Sequence, residues 1–292
     1  MQQKLRKDKN LSRTMKHYFN IFIGLVFVAI TSCNGFRQGG QDSVLTDSLA
    51  VDSLAADSLE EDFSQIAVPK AADELFDDFI FNFTVNRKLQ QERIVFPLQV
   101  DENGKKSVIE KKDWKMQHFF MRQGYYTLLF DSEQHMEIVK DTAVNHAVLE
   151  KIHFGHQTVR QFVFNRIRSA WMLTKIVEIP LAQSHNATFL AFYHQFASDA
   201  VFQTKHLEPT VGFVGPDPDD DFSQMEGIIT PDTWEAFAPQ LPSKLLYNIV
   251  YGRPEQEGNR KIFVLRGVSN GLELQMTFRR KGNNWRLSKL TT

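Results

Sequence analysis

The chain has 292 residues, a formal net charge of −1 at pH 7 and a single cysteine. A charge this close to zero argues against a generally basic nucleic-acid-binding protein, and one cysteine excludes an internal disulfide framework. The length is sufficient for one or two domains that each bury a hydrophobic core.

The N-terminal residues have the pattern of a secretion signal. Basic residues between Lys4 and Lys16 precede a short apolar run, residues 21–30, which is too brief to stay in a bilayer as a permanent span. Small residues then lead to Cys33, as in Ile-Thr-Ser-Cys. This arrangement resembles the lipobox of bacterial lipoproteins, and the true start could be Met1 or Met15.

The lipobox resemblance implies that the Cys33 thiol is acylated and that residues 1–33 are a lipoprotein signal peptide. Its first partner would then be a membrane, reached through the lipid on Cys33, and we expect the protein in the cell envelope, anchored to the outer membrane. The resemblance leaves open whether it faces the periplasm or the cell surface. The alternatives are an uncleaved anchor and a chance match to the lipobox.

Residues 34–70 form an acidic segment with a five-residue repeat of Asp-Ser, from Asp42 to Asp57. It contains seven acidic residues against two basic ones, and its period matches neither a helix nor a strand. Self-repulsion and scarce aromatic residues predict a disordered tether. A short helix that carries the leucines of the repeat is the alternative.

Beyond residue 70 the chain repeats a set of landmarks at spacings of 112 to 120 residues. The first members are Phe76, Phe79, Phe83, Pro97, Trp114 and Trp171, and the second are Phe189, Phe192, Phe196, Pro209, Trp234 and Trp285. Repeats of this kind indicate duplicated structural units. The sequence therefore predicts two α+β domains, residues 71–181 and 182–292, with a single larger domain as the alternative.

Each unit begins with predicted helices. Three phenylalanines at i, i+3 and i+7 place their rings on one face of a helix. Asn86 and Asp199 are residue types that begin helices, so each unit has a second short helix that ends before Pro97 or Pro209. Thr230-Pro231-Asp232 predicts a further helix that carries Trp234.

Strands follow the helices in both units. Residues 272–278 alternate between apolar and polar types, as in a half-buried strand. Residues 159–167 and 171–179 predict a hairpin, and further strands are expected near Ile138, Ile152, Ile249 and Ile262. Helices followed by antiparallel strands indicate an α+β fold with helices covering one sheet face.

This order of elements resembles nuclear transport factor 2-like domains, in which a curved antiparallel sheet wraps around N-terminal helices to form a cone. Two tandem cone-like domains behind a lipobox are similar to an uncharacterised lipoprotein family of Gram-negative gut anaerobes. The resemblance implies the fold but no settled activity, because the superfamily contains isomerases, dehydratases, cyclases and purely binding members.

Two patterns could hold a metal ion. His153 and His156 lie in a predicted strand and turn, where a separation of three directs side chains to opposite faces, so we expect no metal there. Asp217, Asp219 and Asp221 copy the first spacing of a calcium loop, but the required glycine and closing glutamate are missing, which leaves them weak calcium candidates in a solvated acidic turn. We expect no cofactor.

The remaining candidate histidines are interpreted as surface or core residues: His118, His185, His194 and His206.

An enzyme of this fold would need a buried carboxylate next to a hydrogen-bond donor. The sequence offers as candidates Tyr125, Tyr126, Tyr247, Tyr251, Asp131, Asp199 and Asp232. Asp199 and Asp232 are better explained as helix-start residues. The sequence therefore predicts non-enzymatic binding of an apolar small molecule, a peptide or an envelope partner. The alternatives are an isomerase or dehydratase that uses an Asp or His beside a Tyr, and a scaffold whose cones are filled.

Overall fold

The structure is a computed structural model that describes residues 75–253, 257–282 and 284–292. Cys33, the signal segment and the acidic tether lie outside the described residues, so the expectations about them stay predictions. No helix in the described part of the chain combines the length and apolar character that a membrane span requires.

The first half of the described chain contains three helices and six strands. The helices are α1 (Phe76–Val85), α2 (Arg87–Glu92) and α3 (Glu133–Met136). The strands are β1 (Ile94–Glu102), β2 (Lys105–Ile109), β3 (Tyr125–Phe130), β4 (His146–His153), β5 (Thr158–Ile167) and β6 (Ala170–Pro180). Short 3-10 helices cover Lys111–Asp113, Phe119–Arg122, Glu137–Lys140 and Leu181–Gln183.

The second half has the same order of main elements. Its helices are α4 (Ala187–Ser198) and α5 (Ala200–Lys205), with a 3-10 helix at Trp234–Ala236. Its strands are β7 (Leu207–Asp217), β8 (Asp220–Ile229), β9 (Leu245–Tyr251), β10 (Arg260–Gly267), β11 (Glu273–Lys281) and β12 (Asn284–Thr291). Mixed α and β structure around a large curved sheet confirms the predicted α+β class.

The helix starts predicted at Asn86 and Asp199 are present. The Asn86 side chain accepts a hydrogen bond from the amide of Leu89 at 2.9 Å, and Asp199 accepts bonds from the amides of Val201 and Phe202 at 2.8 and 3.0 Å. These side chains satisfy amides that have no partner within the first helical turn. The phenylalanines predicted to share one helix face are almost completely buried, which confirms that face: Phe76, Phe79 and Phe83 in α1, and Phe189, Phe192 and Phe196 in α4.

All twelve strands form one sheet in the order β2-β1-β6-β5-β4-β9-β3-β10-β11-β12-β7-β8. β3 and β9 are exchanged between the halves: β9 pairs antiparallel with β4, β3 pairs antiparallel with β10, and the two pair parallel with each other. The pairs β1–β6 and β7–β12 are parallel as well. The predicted antiparallel meander therefore omitted these pairings, because the pattern of a strand does not specify its neighbour.

The central strands are buried on both faces. Tyr126, Leu128 and Phe130 of β3 face a core formed with α1, whereas Tyr125 and Leu129 face a core formed with α4. The helices of the two halves therefore cover opposite faces of the shared sheet. Within each half they cover one face, as the sequence predicted for each unit. Burial on both faces also explains why β3 is nearly continuously apolar.

Two local predictions were wrong. The segment around Ile138 is the 3-10 helix Glu137–Lys140 rather than a strand, because Ser132 caps a helical turn by accepting a hydrogen bond from the amide of His135. The helix predicted at Trp234 is one 3-10 turn that ends at Ala236. Pro239 follows closely, and a proline disfavours helical conformation in the residue before it.

Candidate functional site

A buried glutamine holds the segment after β2 against the first helices. The side chain of Gln90 is fully buried, and its Nε2 donates hydrogen bonds to the carbonyl oxygens of Phe83 and Gln117, both at 2.8 Å. Its Oε1 accepts from Trp114 Nε1 and from the Gln117 amide, both at 3.1 Å. Four hydrogen bonds from one side chain therefore fix the position of residues 114–117.

The corresponding contact in the second half is simpler. Trp234 Nε1 donates to Gln203 Oε1 at 3.0 Å, which is the one side-chain hydrogen bond that Gln203 makes among the described residues. Both tryptophans are thus oriented by a glutamine from the second helix of their own half.

A pocket of about 310 Å³ lies between the segment fixed by Gln90 and the sheet. Its apolar lining residues are Ile109, Trp114, Phe162 and Ile176, and its polar ones are Asp113, Lys115, Gln117, Lys151 and Arg160. Ligand pockets typically combine an apolar lining with a few directed polar groups. The sequence did not identify this site, because its residues come from β2, the following segment and three sheet strands.

Charged side chains form a row across the sheet at the pocket wall. Strand pairing places Glu102 beside Glu178, Glu178 beside Arg160, and Arg160 beside Lys151. Arg160 Nη1 lies 3.2 Å from Glu102 Oε1 and 3.3 Å from Glu178 Oε2. In the part of the chain that the structure describes, no carboxylate lies within ion-pair distance of Lys151.

The second half has apolar residues at the matching positions of its sheet. Leu265 of β10 pairs with Leu274 of β11, as Lys151 of β4 pairs with Arg160 of β5, and each leucine lies 114 residues after its counterpart. Both leucines are almost fully buried, and Phe213 and Phe237 pack edge to face at 5.3 Å beside the same core. The interior of the second half is thus filled here by its own side chains.

The histidine pair does not follow the expected geometry. The rings of His153 and His156 stack in parallel with their centroids 4.4 Å apart, whereas the sequence predicted side chains on opposite faces. The prediction was wrong because residues 154–157 form a turn that folds His156 back over the end of β4. Burial, followed by the charges of His156 and Lys151, lowers the pKa of His153. No group of three or more metal-ligating side chains occurs in the described ranges.

The acidic turn lies at the tip of the β7–β8 hairpin. Asp217 ends β7, and its Oδ1 accepts a hydrogen bond from the amide of Asp219 at 2.9 Å, so it shapes the turn. The side chain of Asp221 lies outside the described part of the chain.

The other carboxylate candidates have structural partners or lie at the surface. Asp131 Oδ1 lies 2.7 Å from Nζ of Lys261, a lysine with only 1% of its side chain exposed, and also accepts from the amide of Gly258. Asp199 begins α5, as expected. Asp232 was also predicted at a helix start, but it lies in an exposed turn before the 3-10 helix Trp234–Ala236.

The candidate histidines also take part in local structure. His194 stacks on Phe154 at 4.8 Å, and His206 Nδ1 lies 2.9 Å from the carbonyl oxygen of Phe202. Burial, followed by the charge of Lys261, lowers the pKa of His185. His118 directly precedes the 3-10 helix Phe119–Arg122.

One carboxylate–tyrosine pair occurs that the sequence did not identify. The Tyr251 hydroxyl donates a hydrogen bond to Asp77 Oδ1. Burial raises the pKa of Asp77, although the bond from Tyr251 and the charge of Arg266 oppose that shift. Burial also raises the pKa of nearby Tyr126 to about 12. The sequence analysis did not identify Asp77 because an acidic residue in the first turn of a helix is typical. Its position four residues before Phe81, however, places it beside the apolar face of α1.

The pair is separate from the pocket. Neither Asp77 nor Tyr251 lines the cavity, and Tyr251 instead packs on Phe76 in the core. Of the other tyrosine candidates, Tyr125 faces the second core and Tyr247 the first.

The structure also contains a fully buried carboxyl group on the other face of β4. Glu150 accepts hydrogen bonds from Gln161 Nε2 and Asn248 Nδ2, both at 3.0 Å. Burial raises its pKa, which these two hydrogen bonds only partly oppose. The three residues lie side by side on β5, β4 and β9, so they join the exchanged strand β9 to the first half.

Comparisons with known proteins give a family and a fold. A family model described as a domain of unknown function (DUF4348) matches residues 55–292. Among solved structures, the chain is similar to the crystal structure of an NTF2-like protein from Bacteroides fragilis, with 40% sequence identity and a TM-score of 0.69 over 76% of this chain and 97% of that chain. A search of curated proteins found no match.

Proposed function

The chain belongs to the DUF4348 family and has the NTF2-like fold, and on that premise we propose that it binds a small molecule in the pocket of its first half. The observation that carries the proposal is the 310 Å³ cavity between the Trp114 segment and the sheet. This volume lies within the range of about 300–1,000 Å³ that is common for ligand sites. The filled interior at the matching positions of the second half supports a division of roles, with one binding half and one structural half.

The composition of the pocket supports a ligand with a compact apolar body. Phe162 and Ile176 belong to the sheet and line the sheet side of the pocket with apolar atoms. Trp114 is held by Gln90 and forms part of the opposite wall. A wall fixed by hydrogen bonds loses little freedom when a ligand binds, which favours affinity. An extended peptide or a protein partner would need contacts outside this cavity.

The proposal can be tested with N-phenyl-1-naphthylamine, a neutral apolar dye that fluoresces in apolar surroundings. We expect saturable fluorescence with one dye molecule per chain. Gln117→Phe places at the pocket the residue that the second half has as Phe237, so it should abolish the signal by filling the cavity. Gln134→Phe adds the same side chain at an exposed position of α3 and should leave binding unchanged. Equal binding by both variants would exclude the pocket as the site.

We further propose that the protein is a lipoprotein of the outer membrane, acylated at Cys33 and joined to the folded part by the acidic tether. The support is the sequence pattern of residues 1–70 alone. Radiolabelled palmitate should enter the wild-type protein but not Cys33→Ser, and the variant should leave the membrane fraction. Unchanged labelling in Cys33→Ser would contradict the proposal.

A second candidate function is proton transfer, and the Asp77–Tyr251 pair is the observation that favours it. A carboxyl group with a raised pKa beside a tyrosine donor could act as an acid–base pair. An enzyme of this class would catalyse deuterium exchange next to the carbonyl group of 2-tetralone in D2O, and Asp77→Asn would remove that activity. Exchange that stays at the uncatalysed rate would leave binding as the function.

A further inference from the structure

We propose that the ligand of the first-half pocket carries an anionic group, and that Lys151 is the residue that recognises it. This inference rests on the proposed binding function and specifies its ligand class: a compact apolar molecule with a carboxylate or a similar anion. It depends on the cross-strand pair Lys151–Arg160 of the first half and on the corresponding pair Leu265–Leu274 of the second half.

Lys151 and Arg160 are a like-charge pair directly opposite each other on neighbouring strands. Such pairs are destabilising in a sheet unless the charges are compensated. Glu102 and Glu178 compensate Arg160 through ion pairs of 3.2 and 3.3 Å. Among the residues described by the structure, no carboxylate does the same for Lys151, whose ammonium group therefore has no anionic partner at the pocket wall.

The second half shows that the fold does not require charges at this position. Leu265 and Leu274 occupy the corresponding pair and bury their side chains in a filled core. A leucine pair stabilises the fold by burying apolar surface, whereas two facing cations destabilise it by mutual repulsion. The cationic pair accompanies the half with the open pocket, which is the arrangement expected if the charge contacts a ligand.

The other charges around the pocket leave its lining positive. Lys115 and Asp113 line the opposite wall with one charge of each sign, and Arg160 is neutralised by its two ion pairs, so Lys151 is the lining charge left without a carboxylate among the described residues. Glu102 and Glu178, which do not line the cavity, lie on the far side of Arg160 from Lys151. An anion next to Lys151 would therefore meet an ammonium group without an ion-pair partner, and a charge-assisted hydrogen bond there is stronger than a neutral one.

Three naphthalene probes with the same ring test the charge preference: 2-naphthoate, 2-naphthalenemethanol and 2-naphthylmethylammonium. In calorimetric titrations at pH 7 we expect the anion to bind most tightly and the cation at least about tenfold more weakly. Equal or tighter binding of the neutral alcohol would overturn the inference and leave the proposed function intact. If neither these probes nor N-phenyl-1-naphthylamine bind, the proposed function fails as well.

Lys151→Met removes the charge and keeps an apolar stem of similar length. We expect affinity for 2-naphthoate to fall at least about tenfold, with affinity for 2-naphthalenemethanol unchanged. Lys175→Met is the matched control, because Lys175 lies on neighbouring β6 outside the pocket lining and pairs with Asp101. An unchanged 2-naphthoate affinity in Lys151→Met would overturn the inference. If that variant does not fold, the wild-type probe series decides alone.

Discussion

Gln90 is the residue whose replacement should reveal how stability and the pocket are linked. Gln90→Leu keeps the side-chain volume and helix propensity nearly constant but removes all four hydrogen bonds of the amide group. The partners left behind include Trp114 Nε1 and the backbone of Gln117. Each hydrogen bond contributes about 1 kcal/mol net, so we expect a loss of about 4 kcal/mol in the free energy of unfolding.

Gln203→Leu is the matched control in the second half. It removes a single side-chain hydrogen bond, to Trp234 Nε1, so its expected cost is about 1 kcal/mol. Urea unfolding followed by tryptophan fluorescence measures both losses under the same conditions. The two variants differ in the number of hydrogen bonds lost and very little in buried apolar area.

The two variants should also differ in their affinity for a ligand of the pocket. Trp114 and Gln117 line the pocket, so Gln90→Leu should weaken the binding of N-phenyl-1-naphthylamine, whereas Gln203→Leu should leave it unchanged. Equal losses of stability in the two variants would refute the hydrogen-bond argument. Normal dye binding in Gln90→Leu would refute the claim that this amide positions the pocket wall.

Three further predictions concern the core. Burial raises the folded-state pKa of Glu150, so stability should fall as the pH rises from the ordinary glutamate value of 4.5 towards the folded-state pKa. Glu150→Gln should make this fall smaller in urea unfolding, and an unchanged pH dependence would contradict the assignment. Asp131→Asn should cost about 3 kcal/mol because it leaves buried Lys261 without its anionic partner, and Lys261→Met should cost less; the reverse order in thermal unfolding would be inconsistent with this reasoning. Phe164→Ala should cost about 3–5 kcal/mol by calorimetry, since its ring packs on Phe76, Phe79 and Phe83, and a loss below about 1 kcal/mol would show that the core collapses into the space.

The sequence predicted the elements whose signals are local. The phenylalanine spacing of α1 and α4 and the caps at Asn86 and Asp199 depend on residues within one or two helical turns, and all are present. The hairpin of β5 and β6 was predicted for the same reason, because its strands are adjacent in the chain.

Features that depend on strand register were not predictable from the pattern. Lys151 and Arg160 become a pair only when β4 and β5 align, and the pocket forms only when the Trp114 segment crosses that row. The exchange of β3 and β9 could not be predicted either, because the two strands are both apolar and similar in composition, so the pattern does not specify which one pairs with β4. His153 and His156 show the same limit on a smaller scale, because the turn between them decides where the rings point.

The exchange of β3 and β9 has a consequence for how the protein loses its structure. Each half contributes a strand that is hydrogen-bonded inside the other half, so a fragment cut between Pro180 and Ala187 would lack one internal strand and expose an unpaired edge next to β4 or β10. We therefore expect a single cooperative melting transition rather than two. Heat or a protease that opens the second half would disassemble the pocket-bearing first half with it.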